Sequence, residues 1–258
     1  QPDREARRMS DTATFWSMRV GLALVLMLVL ASPFAQGGET LVGQGLVIVA
    51  GATGFAVMAL AAPFVWLKEM TWIATCWAGL IGWCLIQATP LGIALHPVWN
   101  AAAPVLGEPL AGSIALDPQA ATDAAARLAA YAGLFAAGVT AAHFGHTVWV
   151  WNGLALGVAA IAASALFAAD WDVGPAGLAK VRHWGDLAFP FANRNHFCVF
   201  AGIGALATLP GLIGGRQHRL WLKGLLAGAL LVCLAAAFAT HSRAGLASIA
   251  AGGFVTFA

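Results

Sequence analysis

Charge is scarce in this chain. Asp, Glu, Lys and Arg make up 9% of its 258 residues, where a soluble domain carries about a quarter, so a water-facing globular domain is excluded. Cysteine is also sparse. Cys76, Cys84, Cys198 and Cys233 all lie in apolar segments and form no C-x-x-C pair, which leaves no metal or disulfide framework and reads as packing residues. No block of like charge occurs, and the formal net charge is +2, so nucleic acid binding has no support. No cofactor or metal is implied. What remains is 60% apolar residues with 30 glycines and a mean hydropathy of +0.81. This is the composition of an all-α polytopic membrane protein, because a helix satisfies its own backbone polar groups where no water can.

Apolar runs bounded by proline and polar residues predict seven complete spans: 20–34, 41–67, 70–89, 124–142, 147–169, 195–213 and 224–240. An eighth run from about Ala244 is shorter than the roughly 20 residues a crossing needs, so the chain is expected to be the N-terminal part of a longer protein, forming a single membrane domain over 1–258. Residues 1–19 with Arg4, Arg7, Arg8 and Arg19 read as a basic anchor; a cleaved signal peptide is the competing reading. Two long polar stretches, 96–125 and 170–193, are expected to be loops on one side, and His143-Phe-Gly-His146 a polar turn on the other. Gly153-x-x-x-Gly157 permits close helix packing without naming its partner.

Basic residues set the orientation. With the amino terminus cytoplasmic, alternation places eight Lys/Arg inside (Arg4, Arg7, Arg8, Arg19, Lys68, Arg216, Arg219, Lys223) and the other five of 13 outside, in accord with the positive-inside rule. Both long loops, Arg194 and Arg243 then share the outer face, the periplasm in a bacterium.

Four consecutive polar residues, Asn193-Arg194-Asn195-His196, stand directly before the apolar run that reaches Ile213, and His241-Ser242-Arg243 follow the seventh span. Arginine at the lip of an apolar helix is costly and marks a candidate site. Its planar fork of donors matches phosphate geometry and stays charged, so two arginines on one side suit a diphosphate. Asn193 is placed to cap the sixth helix, whose amino end would add to the anion site, and His196 could move protons. Plainer readings stand beside these. Arg194 could anchor its helix at the headgroups, His196 and His241 could be interface residues, and Asp186 with Arg182 and His183 could be a solvated loop rather than a substrate contact.

Phe191-Ala-Asn-Arg-Asn-His-Phe197, followed one hairpin later by Thr240-His-Ser-Arg-Ala-Gly245, resembles the signature of the O-antigen ligase and polymerase family of bacterial envelope proteins. The Pro-rich loop with Ser113-Ile-Ala-Leu-Asp-Pro118 ahead of a helix containing Tyr131 is also similar. The resemblance covers residues 90–258. It implies a multi-pass glycosyltransferase of the inner membrane that takes a glycan from an undecaprenyl diphosphate carrier and joins it to a lipid A core or a growing glycan, without a metal. On this resemblance Arg194 and Arg243 would hold the diphosphate, with His196 in the catalytic group. Asn193, Asn195, His241, Ser242 and Asp186 would contact substrate, His196 and Asn195 holding the arginine or the first sugar.

The family also carries, in a later periplasmic loop, a histidine assigned as base for the acceptor hydroxyl, in a motif ending in glycines. No such loop occurs here, so the expectation is a donor half without the acceptor half. A transporter or flippase for an anionic lipid or solute is the alternative reading, and a structural membrane subunit a third.

Overall fold

The computed structural model describes residues 2–35, 40–61, 70–91, 95–107, 111–168, 182–183, 186–214 and 219–257. The fold is all-α. Among the described residues it contains α1 (Pro2–Ala31), α2 (Leu41–Ala61), α3 (Thr71–Ala88), α4 (Pro97–Leu106), α5 (Pro118–His143), α6 (Thr147–Phe167), α7 (Arg194–Ile213), α8 (Leu220–Ala239) and α9 (Arg243–Phe257). A two-stranded antiparallel hairpin, β1 (Arg182–His183) and β2 (Asp186–Leu187), pairs Arg182 with Leu187 and His183 with Asp186. Seven of the helices are long and apolar enough to cross a membrane, and the apolar part of α9 is shorter.

Helix starts follow the local chemistry. Asp117 accepts the Ala120 amide at 3.0 Å with Pro118 at the first helical position, and Asn193 accepts the Asn195 amide at 2.8 Å. Both are side-chain caps that satisfy otherwise orphaned donors. The Ser242 hydroxyl does the same for α9, accepting from the Gly245 amide at 3.1 Å.

Several boundaries depart from those expected. α1 begins at Pro2, because the polar stretch before the first span is rich in Ala, Glu, Arg and Met, good helix formers that continue the helix out of the apolar region. The stretch 96–125 is not all loop. It holds α4, ended by Gly107 in the left-handed region (φ 72°), and the first two turns of α5, which starts at Pro118 rather than 124. Residues 62–69, 92–94, 108–110, 169–181, 184–185 and 215–218 lie outside the described residues, and with them the end of the expected second span, Lys68, Arg216 and most of the 170–193 stretch.

Packing relies on small residues, since lipid is as apolar as a leucine side chain and only close contact favours one helix over another. A Cβ on Gly133 of α5 would fall on the carbonyl group of Gly51 in α2, 2.6 Å from its carbon, so these two backbones touch. Gly153 and Gly157 of α6 receive Leu26 and Leu30 of α1, which identifies the partner of that glycine pair. α6, α7 and α8 converge where Val158, Ala205 and Cys233 form one buried cluster. α3 buries no residue within the chain, and Trp72 and Trp83 lie more than half exposed on it, as lipid-facing side chains do.

Candidate functional site

Directly above one core cluster, at the start of α7 and the end of α8, the chain assembles a polar network. The cluster beneath is Ala162, Ala165, Leu187, Phe189, Phe197, Cys198, Ala201 and Ala236 with their neighbours, all buried. Leu187 of β2 and the Ala188, Phe189 and Pro190 that follow it are all buried, and Phe189 meets Phe34 at 5.8 Å between ring centroids. That burial fixes β2 against the bundle, and Asp186 comes with it.

Asp186 stands at the centre. One carboxylate oxygen, Oδ2, is bonded to Arg194 Nη1, and the other, Oδ1, lies 2.9 Å from His241 Nδ1. The carboxylate is 16% exposed while the arginine and histidine are 46% and 71% exposed, so both partners reach inward to a shielded acid. At this exposure an ion pair contributes at most about 1 kcal/mol to stability. Its consequence is positional: Asp186 ties Arg194 and His241 to one carboxylate. Asp186 is therefore no solvated loop residue, and it is Asp186, rather than Asn195 or His196, that holds the arginine.

The α8–α9 turn is built for the same geometry. His241 has φ 50°, the left-handed region that non-glycine residues rarely occupy, and this bend turns its imidazole back to Asp186, 55 residues earlier. Around it the Thr240 hydroxyl accepts the Ser242 amide at 3.2 Å and donates to the Ala237 carbonyl at 2.7 Å. Ser242, 2% exposed, donates its hydroxyl to Asn195 Oδ1 at 2.8 Å. Gly245 lies so close to Cys198 that a Cβ there would meet its Cβ at 2.6 Å, and the Cys198 thiol itself donates to the Ala237 carbonyl at 3.6 Å.

Of the residues singled out in the sequence, Asp186, Asn193, Arg194, Asn195, His241 and Ser242 are brought together. Arg243 and His196 are exposed and make no polar contact with that group among the described residues. The Asn195 amide, which a ligand at the start of α7 could have used, is taken by Asn193. Thr240 and Gly245 were missed as functional positions, although both sit inside the quoted Thr240–Gly245 motif. Arg182 and His183 contribute backbone pairing to the hairpin; their side chains lie outside what is described.

Chemically the group is cationic. Arg194 is paired with the Asp186 carboxylate, and Arg243 stands two residues beyond His241 on the same turn, so two guanidinium groups accompany one carboxylate. Arg194 spends one nitrogen on Asp186 and a guanidinium has five N–H donors, so it retains donors for a second anion, while Arg243 has no carboxylate among the described residues.

At the other end of the bundle His146 is 5% exposed, not part of an open polar turn. Its ring packs on Phe15 at 5.1 Å, and Arg19 stacks over Phe15, Trp16 and Trp149 at 5.1–5.9 Å. Burial, and secondarily the Arg19 charge, hold the His146 pKa below its usual 6.5. An apolar cavity of about 240 Å³ between α2, α3 and α5, lined by Phe55, Met58, Trp77 and Phe135 among others, presents almost no polar surface and none of the site residues. Comparison of the chain with family models, with curated proteins and with solved structures gives no match.

Proposed function

We propose that this chain is a membrane glycosyltransferase of the O-antigen ligase and polymerase kind, acting on an undecaprenyl-diphosphate-linked glycan at the periplasmic face of a bacterial inner membrane. The observation that carries the reading is the junction of two motifs 47 residues apart, joined by Ser242 to Asn195 and by His241 and Arg194 to one carboxylate. The junction sets Arg194 at the same end of the bundle as Arg243, and two guanidinium groups are matched to the two phosphates of the leaving group. As the bond from anomeric carbon to phosphate oxygen breaks, negative charge builds on the diphosphate, and fixed cations stabilise that charge more than they stabilise the bound donor.

Transport of an anionic lipid is supported less well. Transporters keep charged groups near the bilayer midplane, whereas here the motif residues lie at helix ends, and the buried Thr140 and Thr208 hydroxyls donate to carbonyls of their own helices. The test is substitution in the membrane-embedded protein: Arg194→Ala and Arg243→Ala should each abolish glycan transfer while the protein remains in the membrane fraction. Transfer retained at the parent level in both variants defeats the diphosphate assignment.

A further inference from the structure

We infer that the other end of the bundle holds a binding site for the phosphate headgroup of an anionic phospholipid, built from Arg19, His146 and the amino end of α6. Arg19 does not lie on the lipid-facing side of α1. Phe15, Met18, Arg19 and Leu22 follow the i, i+3, i+4, i+7 spacing of one helix face, and Met18 and Leu22 are buried in one cluster with Ala137 and Ala141 of α5. The guanidinium carbon stands 5.1 to 5.9 Å from the ring centroids of Phe15, Trp16 and Trp149, and no carboxylate pairs with it among the described residues. His146 is only 5% exposed, and Arg19 is near enough for its charge to act on the imidazole. Three buried side-chain polar atoms have no partner among the described residues, and two of them, Arg19 Nε and His146 Nε2, belong to this group.

A shielded polar atom without a partner is costly, and a cation at the edge of an apolar span asks for a counter-charge. The plain alternative is an arginine that snorkels, its head held in water or among headgroups; against it, Arg19 Nε is enclosed within the protein. The start of α6 adds to the same spot. Its N-cap is His146, whose side chain makes no capping bond, so the first-turn amides and the positive end of a 21-residue helix are available to an anion. The walls select a lipid over a free ion. Phe15 is 40% and Trp16 56% exposed on a helix long and apolar enough to cross a membrane, and the glycerol and acyl chains cover these rings while the phosphate oxygens accept from the Arg19 Nη hydrogens. Phe15 packs on the imidazole at 5.1 Å, and rotation of this exposed ring opens Nε2, which donates its hydrogen to a phosphate oxygen.

The test uses the full protein purified in a neutral detergent and titrated with phosphatidylglycerol, phosphatidylcholine or inorganic phosphate, with binding read by native mass spectrometry and by the unfolding temperature. Phosphatidylglycerol should bind the parent and raise its unfolding temperature, phosphatidylcholine should bind about tenfold more weakly, and inorganic phosphate at the same concentration should do neither. Arg19→Gln and His146→Leu should each weaken phosphatidylglycerol binding about tenfold, about 1.4 kcal/mol. Arg219→Gln, which removes an exposed cation at the start of α8, should keep the parent's affinity. Equal binding of the two lipids by the parent, or parent affinity in Arg19→Gln, overturns the assignment. Stabilisation by inorganic phosphate as strong as that by phosphatidylglycerol overturns the lipid as the source of the anion. Where Arg19→Gln does not fold, Arg19→Lys keeps the charge without the planar fork and should bind more weakly than the parent; unchanged affinity there overturns the assignment as well. None of these readouts involves glycan transfer, so the site stands or falls apart from the transferase reading.

Discussion

The hydroxyl of Ser242 donates to Asn195 Oδ1 at 2.8 Å, and the same hydroxyl accepts the Gly245 amide at 3.1 Å. One oxygen therefore both caps α9 and ties it to the first turn of α7. Ser242→Ala removes both bonds and leaves Asn195 Oδ1 short of a donor. The expected cost is about 1–2 kcal/mol, seen as a lower unfolding temperature in detergent with the helix content of the folded protein unchanged. An unfolding temperature equal to the parent's would show that the junction holds without this contact.

Gly245→Ala acts at the same junction through volume. The added methyl would meet the Cys198 Cβ at 2.6 Å and the Ser242 hydroxyl at 3.0 Å, and neither belongs to a long side chain that can swing away. α9 must shift off α7, at a cost of about 1–3 kcal/mol for an overpacked contact. Gly224→Ala, where nothing lies within 4 Å, is the control and should be neutral or slightly stabilising. Thermal unfolding of the two variants side by side checks this.

The spans were legible in the sequence because each is an apolar run closed by proline or a polar turn; α3, α6 and α7 fall within two residues of the expected ends. The start of α1 was not, since hydropathy reports where lipid begins and says nothing of a polar helix continuing beyond it. α4 was hidden among prolines that read as loop, although Pro97 sits at a helix start where its missing N–H costs nothing. At the site, the motif residues stood out as polar groups at apolar helix ends. Their pairing did not, because Asp186 and His241 are 55 residues apart and no local pattern announces a carboxylate shared between a hairpin and a distant turn. His146 misled for the opposite reason: a histidine beside a glycine reads as a wet turn, and only the packing of Phe15 against it shows it buried.

That burial predicts a pH dependence of stability. The folded pKa of His146 is held below the usual 6.5, by burial first and by Arg19 second, so the fold prefers the neutral ring. Its contribution is fully present above about pH 6.5 and is lost as the pH falls from there through the depressed folded value. Unfolding temperatures followed downward from neutral pH should drop more for the parent than for His146→Gln, which has nothing to protonate. Parallel curves for the two proteins would remove His146 from the acid sensitivity.

The measurement that bears most directly on the transferase reading is made on the surface glycans of the producing organism. With the gene deleted, lipopolysaccharide and undecaprenyl-linked glycans are run side by side, and the deletion is complemented with the parent or with Arg194→Ala. Loss of function should strand glycan on the lipid carrier above a bare lipid A core, or leave single repeat units where long chains stood, and the parent but not Arg194→Ala should reverse it. Glycan pools that are unchanged by the deletion would contradict the transferase reading.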